Sequence, residues 1–208
     1  MFAPRAGPPL ALGAVGLVVL GSVALLYGAL HRPEVAVPLA GATLAWAFFA
    51  AFFRDPDRPV GEGIVAPADG RILAVDREGD RVRVATFMGV TNVHVNRFPL
   101  DARVAAVETL GAGHRPAYRS DARHNRQRSY ALETAAGPVE VVQMTGVVAR
   151  RLVSLVGPGD ARRKGDRLGL IVLGSRVDLL LPADRVTVVV RPGDRVRAGA
   201  TTVARESP

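Results

Sequence analysis

A glycine followed by a serine interrupts a long apolar run near the end of the chain. The run extends from Gly169 to Pro182, and the step itself is Gly174–Ser175. Valine, isoleucine and leucine on both sides predict two short buried strands. Glycine has no Cβ and tolerates strained backbone angles, so the Gly174 carbonyl is open to attack by the Ser175 hydroxyl in an N-to-O acyl shift. The alternative is an ordinary strand–turn–strand with a glycine kink.

Two further residues are candidates to assist such a step. His94 lies in a mixed polar and apolar segment that Pro99 interrupts, which indicates a loop or an edge strand. Histidine is the side chain best able to take a proton near neutral pH, although a structural role is the alternative for this one. Asp69 is first a turn residue before Gly70, and it is also a candidate to orient a histidine that serves Ser175 as base.

Metal-ligating residues do not form a recognisable site in the sequence. The chain has no cysteine, which excludes disulfides, thiolate metal sites and a cysteine nucleophile. The histidines, whose spacing fits no common zinc pattern, are His31, His94, His114 and His124. The arginine-rich stretch from His114 to Arg128 predicts a long surface loop, either plainly solvated or an anion-binding flap over a phosphate or carboxylate.

These candidates belong to a β-rich region that begins after residue 53. Short alternating or β-branched runs between turn residues predict a mainly β domain, either a compact sandwich or a barrel. The predicted strands are Arg71–Val75, Arg81–Thr86, Arg103–Leu110, Ser129–Thr134, Val139–Thr145, Gly169–Leu173, Val177–Leu181 and Val186–Val190. One helix is predicted over Thr145–Val156, where apolar residues can share a face.

A short motif occurs twice in this region. Pro158-Gly159-Asp160, followed by Gly165, recurs as Pro192-Gly193-Asp194, followed by Gly199. A Gly-Asp turn that enters a strand suits a hairpin with a fixed bend. Together with Ala66–Gly70, the repeat resembles barrel-sandwich domains of the lipoyl and biotinyl type. The Gly-Ser step falls between the two copies.

The amino-terminal part of the chain is apolar and differs from the rest. Residues 9–30 carry no charge, a second uncharged run covers Val35–Phe53, and only His31–Glu34 separates them. About twenty apolar residues span a hydrocarbon core. We therefore expect a transmembrane helical hairpin over residues 1–53 and a catalytic domain over residues 54–208. A signal peptide is the alternative for the first run, and a hairpin that does not fully cross the bilayer is the alternative for the second.

The charge of the chain favours an anionic partner. Its 208 residues include 27 basic and 19 acidic side chains, a formal net charge of +8. Nucleic acid is disfavoured, because aromatic residues make up only 5% of the chain and no basic block contains interleaved aromatics. An anionic membrane surface fits better. Arg54 and Arg58 directly follow the second apolar run, so we expect a cell-membrane protein with its catalytic domain on the cytoplasmic side.

Five stretches of the chain together resemble the phosphatidylserine decarboxylase family in its short, membrane-anchored prokaryotic form. They occur in the order of the family and cover most of residues 52–203. The stretches are Phe52–Arg58, Ala66–Gly70, Asn92–Arg97, Gly146–Arg151 and Gly169–Asp178. The last stretch, which contains the Gly-Ser step, is the most diagnostic.

The resemblance implies a barrel-sandwich-like pyruvoyl decarboxylase that cleaves itself between Gly174 and Ser175. The ester formed by Ser175 undergoes elimination, and the resulting dehydroalanine is hydrolysed to an amino-terminal pyruvoyl group. This covalent cofactor forms a Schiff base with the amine of a serine phospholipid and accepts electrons as carbon dioxide leaves. No metal and no pyridoxal phosphate are implied. The two chains would form a heterodimer, with further oligomerisation open.

The resemblance also assigns roles to single residues. Asp69 would assist self-cleavage, and His94 matches the histidine of decarboxylation, a candidate proton donor to the carbanion. Longer family members carry a second histidine where this chain has Arg97, which is not a general base. Either His94 doubles in role, or maturation relies on strain and an oxyanion-type site. Arg176 is a candidate to bind the substrate phosphate, or a strand residue that faces water.

Two other functions fit parts of the sequence. A non-catalytic, membrane-tethered module of the lipoyl or biotinyl type needs a lysine at a hairpin tip, and the only lysine, Lys164, lies in a setting unlike a carrier site. A serine hydrolase is disfavoured because no Gly-x-Ser-x-Gly elbow occurs. For a decarboxylase, the lipid backbone stays open between phosphatidylserine and the archaeal ether lipid archaetidylserine.

Overall fold

The computed structural model describes residues 19–28, 32–113, 115–119, 124–147, 151–172 and 175–207. Leu173 and Gly174, which precede Ser175, lie outside the described residues, as does His114. The chain divides into two compact units, Met1–Asp57 and Arg58–Pro208. The division after residue 53, drawn from the sequence, stays a prediction.

Two apolar helices occur in the first unit. The described part of α1 is Val19–Gly28, and α2 is Pro33–Phe52. Proline at the first position of α2 suits a helix start, since its missing N–H would have no partner there. Among the described helices, α2 alone is long and apolar enough to cross a membrane, and at 20 residues it matches a hydrocarbon core. The second apolar run is therefore helical as predicted, and most of the first lies outside the described residues.

Small residues bring the two helices close together. A Cβ at Gly28 would lie 2.6 Å from the Cβ of Ala36, and one at Gly21 would clash with the side chain of Thr43. Glycines at such positions let helix backbones approach closely, as they do between helices in membranes. The packing of α1 on α2 is that of a helical hairpin.

The second unit is built from strands. In chain order they are β1 (Ile64–Val65), β2 (Gly70–Glu78), β3 (Arg81–Met88), β4 (Val95–Arg97), β5 (Ala102–Leu110), β6 (Gln127–Thr134), β7 (Gly137–Thr145), β8 (Arg151–Ser154), β9 (Ala161–Arg162), β10 (Arg167–Val172), β11 (Ser175–Pro182), β12 (Val186–Val188), β13 (Arg195–Val196) and β14 (Thr202–Glu206). This mainly β composition confirms the predicted fold class.

The strands form three sheets. The largest has eight strands in the order β13-β2-β3-β11-β7-β6-β5-β9, and the smaller ones have the orders β1-β14-β12 and β4-β10-β8. The named strands pair with their neighbours in antiparallel orientation throughout the described residues. The sheets are sandwich-like, and no barrel closes within the described ranges.

The interior lies between the sheets. Strands of the large sheet alternate, so that one face is apolar and packs inwards. Side chains buried in this core include Ile72, Val84, Phe98, Tyr130, Leu132, Val141, Leu168, Ile171, Val177, Leu179 and Leu181. Burying one such side chain contributes about 1.5–3 kcal/mol, so the core holds the three sheets in register.

All eight strands predicted from the sequence are present, whereas the predicted helix over Thr145–Val156 is wrong. Strand β7 continues to Thr145, and residues 151–154 form β8. Leu152 and Val153 pair with Ile171 and Leu170 of β10. The apolar spacing that suggests a helix arises here from a strand with one buried face, because pairing with β10 overrides the local pattern.

The repeated motif forms two equivalent turns. Gly159 and Gly193 have φ angles of 89° and 97°, which a Pro-Gly turn with glycine in its third position requires. The Gly159 N–H donates to the Val104 carbonyl at 2.8 Å, and the Gly193 N–H donates to the Ile72 carbonyl at 2.8 Å. Each copy thus lies against a corresponding strand, β5 or β2.

The later glycines of the two copies also correspond. Gly165 donates to the Phe98 carbonyl and Gly199 to the Ala66 carbonyl, each at 2.9 Å. A Cβ at Gly199 would lie 3.5 Å from the Gly165 Cα, so the two copies meet at these glycines. The domain therefore has two similar halves, as the repeat in the sequence indicates.

Candidate active site

Ser175 begins β11, a central strand of the eight-stranded sheet. Its Cα partners are Met88, the last residue of β3, and Thr145, the last residue of β7. The preceding strand, β10, belongs to a different sheet, so the chain changes sheet between Val172 and Ser175. Ser175 is 0% exposed. The run around the Gly-Ser step forms two buried strands as predicted, and Ser175 itself belongs to the second.

His94 lies beside β10, just before the edge strand β4. Its carbonyl accepts a hydrogen bond from the Ile171 N–H at 3.2 Å, and its side chain is buried. Its Nδ1 lies 2.8 Å from the Asn92 carbonyl oxygen. Because a carbonyl can only accept, Nδ1 carries the hydrogen, and Nε2 carries the lone pair of the neutral ring. The position next to an edge strand agrees with the sequence prediction.

One short connection links the surroundings of Ser175 and His94. Residues 89–94 lead from Met88, the cross-strand partner of Ser175, to His94, which pairs with the end of β10. The fold therefore brings both residues to the same end of the sheets, although they are far apart in sequence.

In the described part of the chain, Asp69 is bound by Arg58 and by the backbone of Ala198, and not by the candidate partners His94 and Ser175. Its carboxylate forms a bidentate ion pair with the Arg58 guanidinium, with a distance of 2.9 Å from Nη2 to Oδ2. It also accepts the Ala198 N–H at 2.8 Å. Among the described residues, no hydrogen bond joins Asp69 to His94 or Ser175. The carboxylate thus fixes the turn before β2 to the carboxyl-terminal part of the chain.

Arg97 points towards the place where the two repeats meet. Its Nη1 donates to the Gly165 carbonyl at 2.9 Å, and its Cδ would lie 3.0 Å from a Cβ at Gly199. The absence of a side chain at Gly199 leaves room for this arginine. The residue that stands in place of the expected histidine therefore helps to join the two halves of the domain.

A chain of buried polar contacts ends at Ser175. Tyr130 donates its hydroxyl hydrogen to Gln143 Oε1 at 3.1 Å, and Gln143 Nε2 donates to Asn96 Oδ1 at 2.6 Å. Asn96 Nδ2 then faces the Met88 sulfur at 3.6 Å, and the Ser175 hydroxyl donates to the same sulfur at 3.3 Å. All five side chains are at most 1% exposed. We name these five residues the serine relay.

Two features determine which groups donate and which accept in the hydrogen bonds of the serine relay. Burial raises the pKa of Tyr130, although hydrogen bonds with Ser154 and Arg128 partly oppose this, so its hydroxyl remains a donor near neutral pH. Gly169 makes room for the contact, because a Cβ there would lie 3.0 Å from the Tyr130 oxygen and 3.1 Å from Gln143 Nε2. Gln143 Nε2 is thereby directed at Asn96 Oδ1, which leaves Asn96 Nδ2 to face the Met88 sulfur.

Charged residues occupy the opposite face of β11. Arg176 forms a bidentate pair with Asp178, with both N–O distances at 2.6 Å, and Arg83 Nη1 lies 3.3 Å from Asp178. Burial lowers the pKa of Arg83, but the carboxylates of Asp178, Glu78 and Asp76 outweigh this and raise it overall. Arg176 is only 4% exposed, so the expectation that it faces water is wrong.

The arginine-rich stretch is anchored by a buried asparagine. Asn125 Oδ1 accepts the Arg115 N–H, and its Nδ2 donates to the carbonyls of Arg115 and Thr145, all at 2.7 Å. Thr145 is a direct partner of Ser175. The described part of the predicted flap is therefore fastened next to the candidate site.

Sequence reasoning missed the serine relay apart from Ser175. Gln143 stands alone as a polar residue between the apolar Val142 and Met144 in a strand, and this pattern is a usable signal for a buried hydrogen bond, whereas Asn96 precedes Arg97 and lacks that signal. Their pairing crosses from the eight-stranded sheet to the three-stranded sheet, so the partner of each amide cannot be read from local sequence.

Comparison with known proteins places these residues in a family. The family model described as phosphatidylserine decarboxylase matches residues 46–204. A phosphatidylserine decarboxylase proenzyme of Streptomyces coelicolor is 40% identical in an alignment of length 213 that covers 98% of this chain and 97% of the relative. A Halobacterium salinarum relative, provisionally named archaetidylserine decarboxylase proenzyme, is 47% identical in an alignment of length 169 that covers 79% of this chain and 84% of the relative.

These matches identify a carboxy-lyase. The chain belongs to the phosphatidylserine decarboxylase family, which confirms the resemblance drawn from its motifs. The relatives are named proenzymes, which agrees with the zymogen expected from the Gly-Ser step.

Proposed function

We propose that this protein decarboxylates a serine phospholipid with a pyruvoyl group that it makes from its own Ser175. The observation that carries the proposal is the place of Ser175, buried at the start of a central strand where the chain changes sheet. A relative named archaetidylserine decarboxylase and others named phosphatidylserine decarboxylase leave the lipid backbone open. The shared serine head group is the part of the substrate that we assign.

Self-cleavage would convert the amide between Gly174 and Ser175 into an ester. Ser175 Oγ bonds to the Gly174 carbonyl carbon, the C–N bond breaks, and the nitrogen gains the hydroxyl proton. Loss of the Cα proton then expels the Gly174 carboxylate from Cβ and leaves dehydroalanine. Water adds to the tautomeric imine and ammonia leaves, so residue 175 becomes a pyruvoyl group at a new amino terminus. No outside oxidant or reductant is needed.

The surroundings of residue 175 fit both its serine form, before cleavage, and its pyruvoyl form, after cleavage. Among the described residues, its hydroxyl makes one hydrogen bond, to the thioether of Met88. Sulfur is a weak acceptor, so the hydroxyl remains available to attack. A thioether also packs well against a methyl group, which Cβ becomes in the pyruvoyl form. When present, the pyruvoyl group supplies an electrophilic carbonyl that can accept the electrons released with carbon dioxide.

His94 is the best candidate in the described site to move protons. Its Nδ1–H is engaged by the Asn92 carbonyl, which leaves Nε2 as the basic atom of the neutral ring. We assign to Nε2 the protonation of the carbon from which carbon dioxide departs, after Nε2 has taken up a proton from water and the ring has become an imidazolium. A second role in self-cleavage is consistent with Arg97 pointing towards Gly165 instead of serving as a base.

In this proposal, Asp69 supports self-cleavage by holding a turn of the backbone in place. Its carboxylate is occupied by Arg58 and by the Ala198 N–H, so its effect is to hold the turn at the start of β2. That turn is close to the site, because Arg97 donates its N–H to Pro67 at 2.9 Å and Gly70 begins β2, which runs beside β3. Asp69→Asn would accordingly impair cleavage by loosening this turn.

We also propose a location and an assembly for the mature protein. The apolar helix α2 fits a membrane anchor, and Arg54 after it favours the cytoplasmic side for the domain. The basic domain would be attracted to an anionic membrane surface. The two chains produced by cleavage would remain together as a heterodimer, because β11 pairs along its whole length with β3 and from Ser175 to Leu180 with β7, both of which belong to the first chain.

Denaturing electrophoresis with intact-mass measurement tests the proposal. The purified wild-type chain should yield two fragments, the second of which begins with a pyruvoyl group at residue 175. Ser175→Ala should give one uncut chain that releases no carbon dioxide from phosphatidylserine. Ser207→Ala, which alters only an exposed contact with Thr187, serves as the matched control and should behave as wild type. An uncut but active wild-type chain would rule the proposal out.

The carrier alternative finds no support at Lys164. Its Nζ donates to the Gly63 carbonyl at 3.1 Å, and its backbone N–H donates to Asp101 at 2.7 Å. The side chain is thus held against the domain surface instead of projecting from a hairpin tip.

A further inference from the structure

A row of large side chains crosses the outer face of the eight-stranded sheet one residue after Ser175. Arg176 is the Cα partner of Phe87, Phe87 is also the partner of Arg71, and Arg71 is the partner of Arg195. Directly opposed residues of antiparallel strands point to the same face. Three arginines and a phenylalanine therefore form one line across β13, β2, β3 and β11.

The charges in this row are neutralised unequally. Arg176 is paired with Asp178 and is buried. Arg71 and Arg195 are exposed and form no ion pair within the described residues. Like charges directly opposite each other in a sheet are destabilising. A bound anion between Arg71 and Arg195 would remove this repulsion.

A cavity of about 590 Å³ opens at these two arginines. Phe87 and Gly89 line it and flank Met88, the cross-strand partner of Ser175. Asn92 also lines it and belongs to the turn after β3, so the cavity extends past the end of the strand that lies beside Ser175. Because Ser175 points to the other face of the sheet, a ligand held by the arginines would pass round the strand end at Gly89–Asn92 to meet residue 175.

Exposed apolar side chains lie next to the cavity. Val90, which is 50% exposed, lies between two residues of the cavity wall, Gly89 and Thr91. Tyr118 is 64% exposed and contacts Phe87 edge-on, with ring centroids 6.3 Å apart. Arginine beside exposed tyrosine and aliphatic residues is the composition of a surface that meets lipid head groups.

We propose that Arg71 and Arg195 bind the phosphodiester of the serine phospholipid substrate, while Val90 and Tyr118 contact its glycerol and acyl region. The planar guanidinium suits this role because its fork of N–H groups matches two phosphate oxygens. This assignment rests on the proposed function and adds the site that recognises the head group. Arg176, which sequence reasoning offered for the phosphate, is occupied by Asp178 instead.

The test compares two double variants of the full chain in neutral phosphatidylcholine mixed micelles. Arg71→Gln with Arg195→Gln removes the arginine pair, and Arg77→Gln with Arg205→Gln removes two exposed arginines elsewhere. The first variant should complete self-cleavage, raise the KM for phosphatidylserine about tenfold or more, and keep kcat within about twofold, because charge-assisted hydrogen bonds to the substrate are lost. The second should match wild type in all three measurements.

Three outcomes separate the proposal from its alternatives. An unchanged KM in the first variant overturns the arginine assignment while leaving the proposed function intact, provided that wild type cleaves and decarboxylates. A defect that appears only in anionic phosphatidylglycerol micelles also overturns it, because the arginines would then bind the general membrane surface. If the double variant does not cleave, Arg71→Lys with Arg195→Lys replaces it, and an unchanged KM there overturns the assignment. Failure of wild type to cleave overturns the proposed function itself.

Discussion

Ser175 and Arg176 are neighbours in β11, yet their side chains enter opposite kinds of environment. Ser175 faces inwards and contacts a thioether at the end of the serine relay, in which no member carries a charge. Arg176 faces outwards and forms short bidentate contacts with Asp178, which Arg83 also approaches. Both environments are buried, so the difference is one of chemistry and not of solvent access.

This difference shows how one strand can hold an uncharged and a charged environment on its two faces. A buried charge is tolerable only when it is paired, and Arg176 is fully committed to its pair. Among the described residues, the hydroxyl of Ser175 has only a weak acceptor, so a change in its bonding disturbs little of the surrounding network. The alternation of a strand keeps the two requirements one residue apart and on opposite faces.

The largest expected effect on stability comes from breaking the ion pair between Arg176 and Asp178 on the outer face of β11. Asp178→Ala leaves Arg176 buried without its carboxylate and should lower the free energy of unfolding by about 3–5 kcal/mol. Guanidinium unfolding of the purified chain measures this. Replacing both partners, with Arg176→Met and Asp178→Leu, should cost much less, since no unpaired charge remains. Equal losses in the single and double variants would contradict this account of the pair.

An intermediate effect is expected from crowding the serine relay. A Cβ at Gly169 would meet the Val153 carbonyl oxygen at 2.5 Å as well as Tyr130 and Gln143. Gly169→Ala should therefore cost about 1–3 kcal/mol of stability and slow self-cleavage, as followed by the appearance of the short chain on gels. Gly157→Ala is the matched control, because nothing lies within 4 Å of its added Cβ and it should cleave at the wild-type rate.

The smallest effect is expected at the far end of the serine relay. Tyr130→Phe removes the buried hydrogen bond to Gln143 and should cost about 1 kcal/mol at neutral pH. Because burial raises the folded-state pKa of Tyr130 above the ordinary value of 10.0, its contribution is complete below pH 10.0 and is lost as the pH rises through the folded-state pKa. Wild type should thus lose more stability than Tyr130→Phe in alkaline melting experiments. Parallel curves for the two proteins above pH 10.0 would argue against this contribution.

Local pattern was enough to indicate most of the strands, including those on either side of the Gly-Ser step. The apolar runs on either side of Gly174–Ser175 predict β10 and β11, and the Pro-Gly-Asp repeats predict turns that the structure contains at Gly159 and Gly193. Such features depend on side-chain alternation and on glycine φ angles, which neighbouring residues largely determine. The motif order around Ser175 also sufficed to identify the family.

The local pattern failed where long-range pairing determines the conformation. Residues 151–154 have a spacing compatible with a helix, but they form β8 because β10 offers them a partner. A strand residue that faces water is one of the two interpretations of Arg176 from the sequence, yet Asp178 and the adjacent strands bury it. In both cases the deciding contact is not visible in the local apolar spacing.

By itself, the sequence determined the family, the mainly β class, the apolar amino-terminal helix and the buried position of Ser175, since each follows from composition, motif order or periodicity over short windows. Only the tertiary structure decided that Asp69 pairs with Arg58, that Arg97 joins the two repeats, and that Asn96 and Gln143 meet across two sheets. These contacts depend on strand order and register, which set which side chains oppose each other, and a one-residue shift would send every side chain of a strand to the other face.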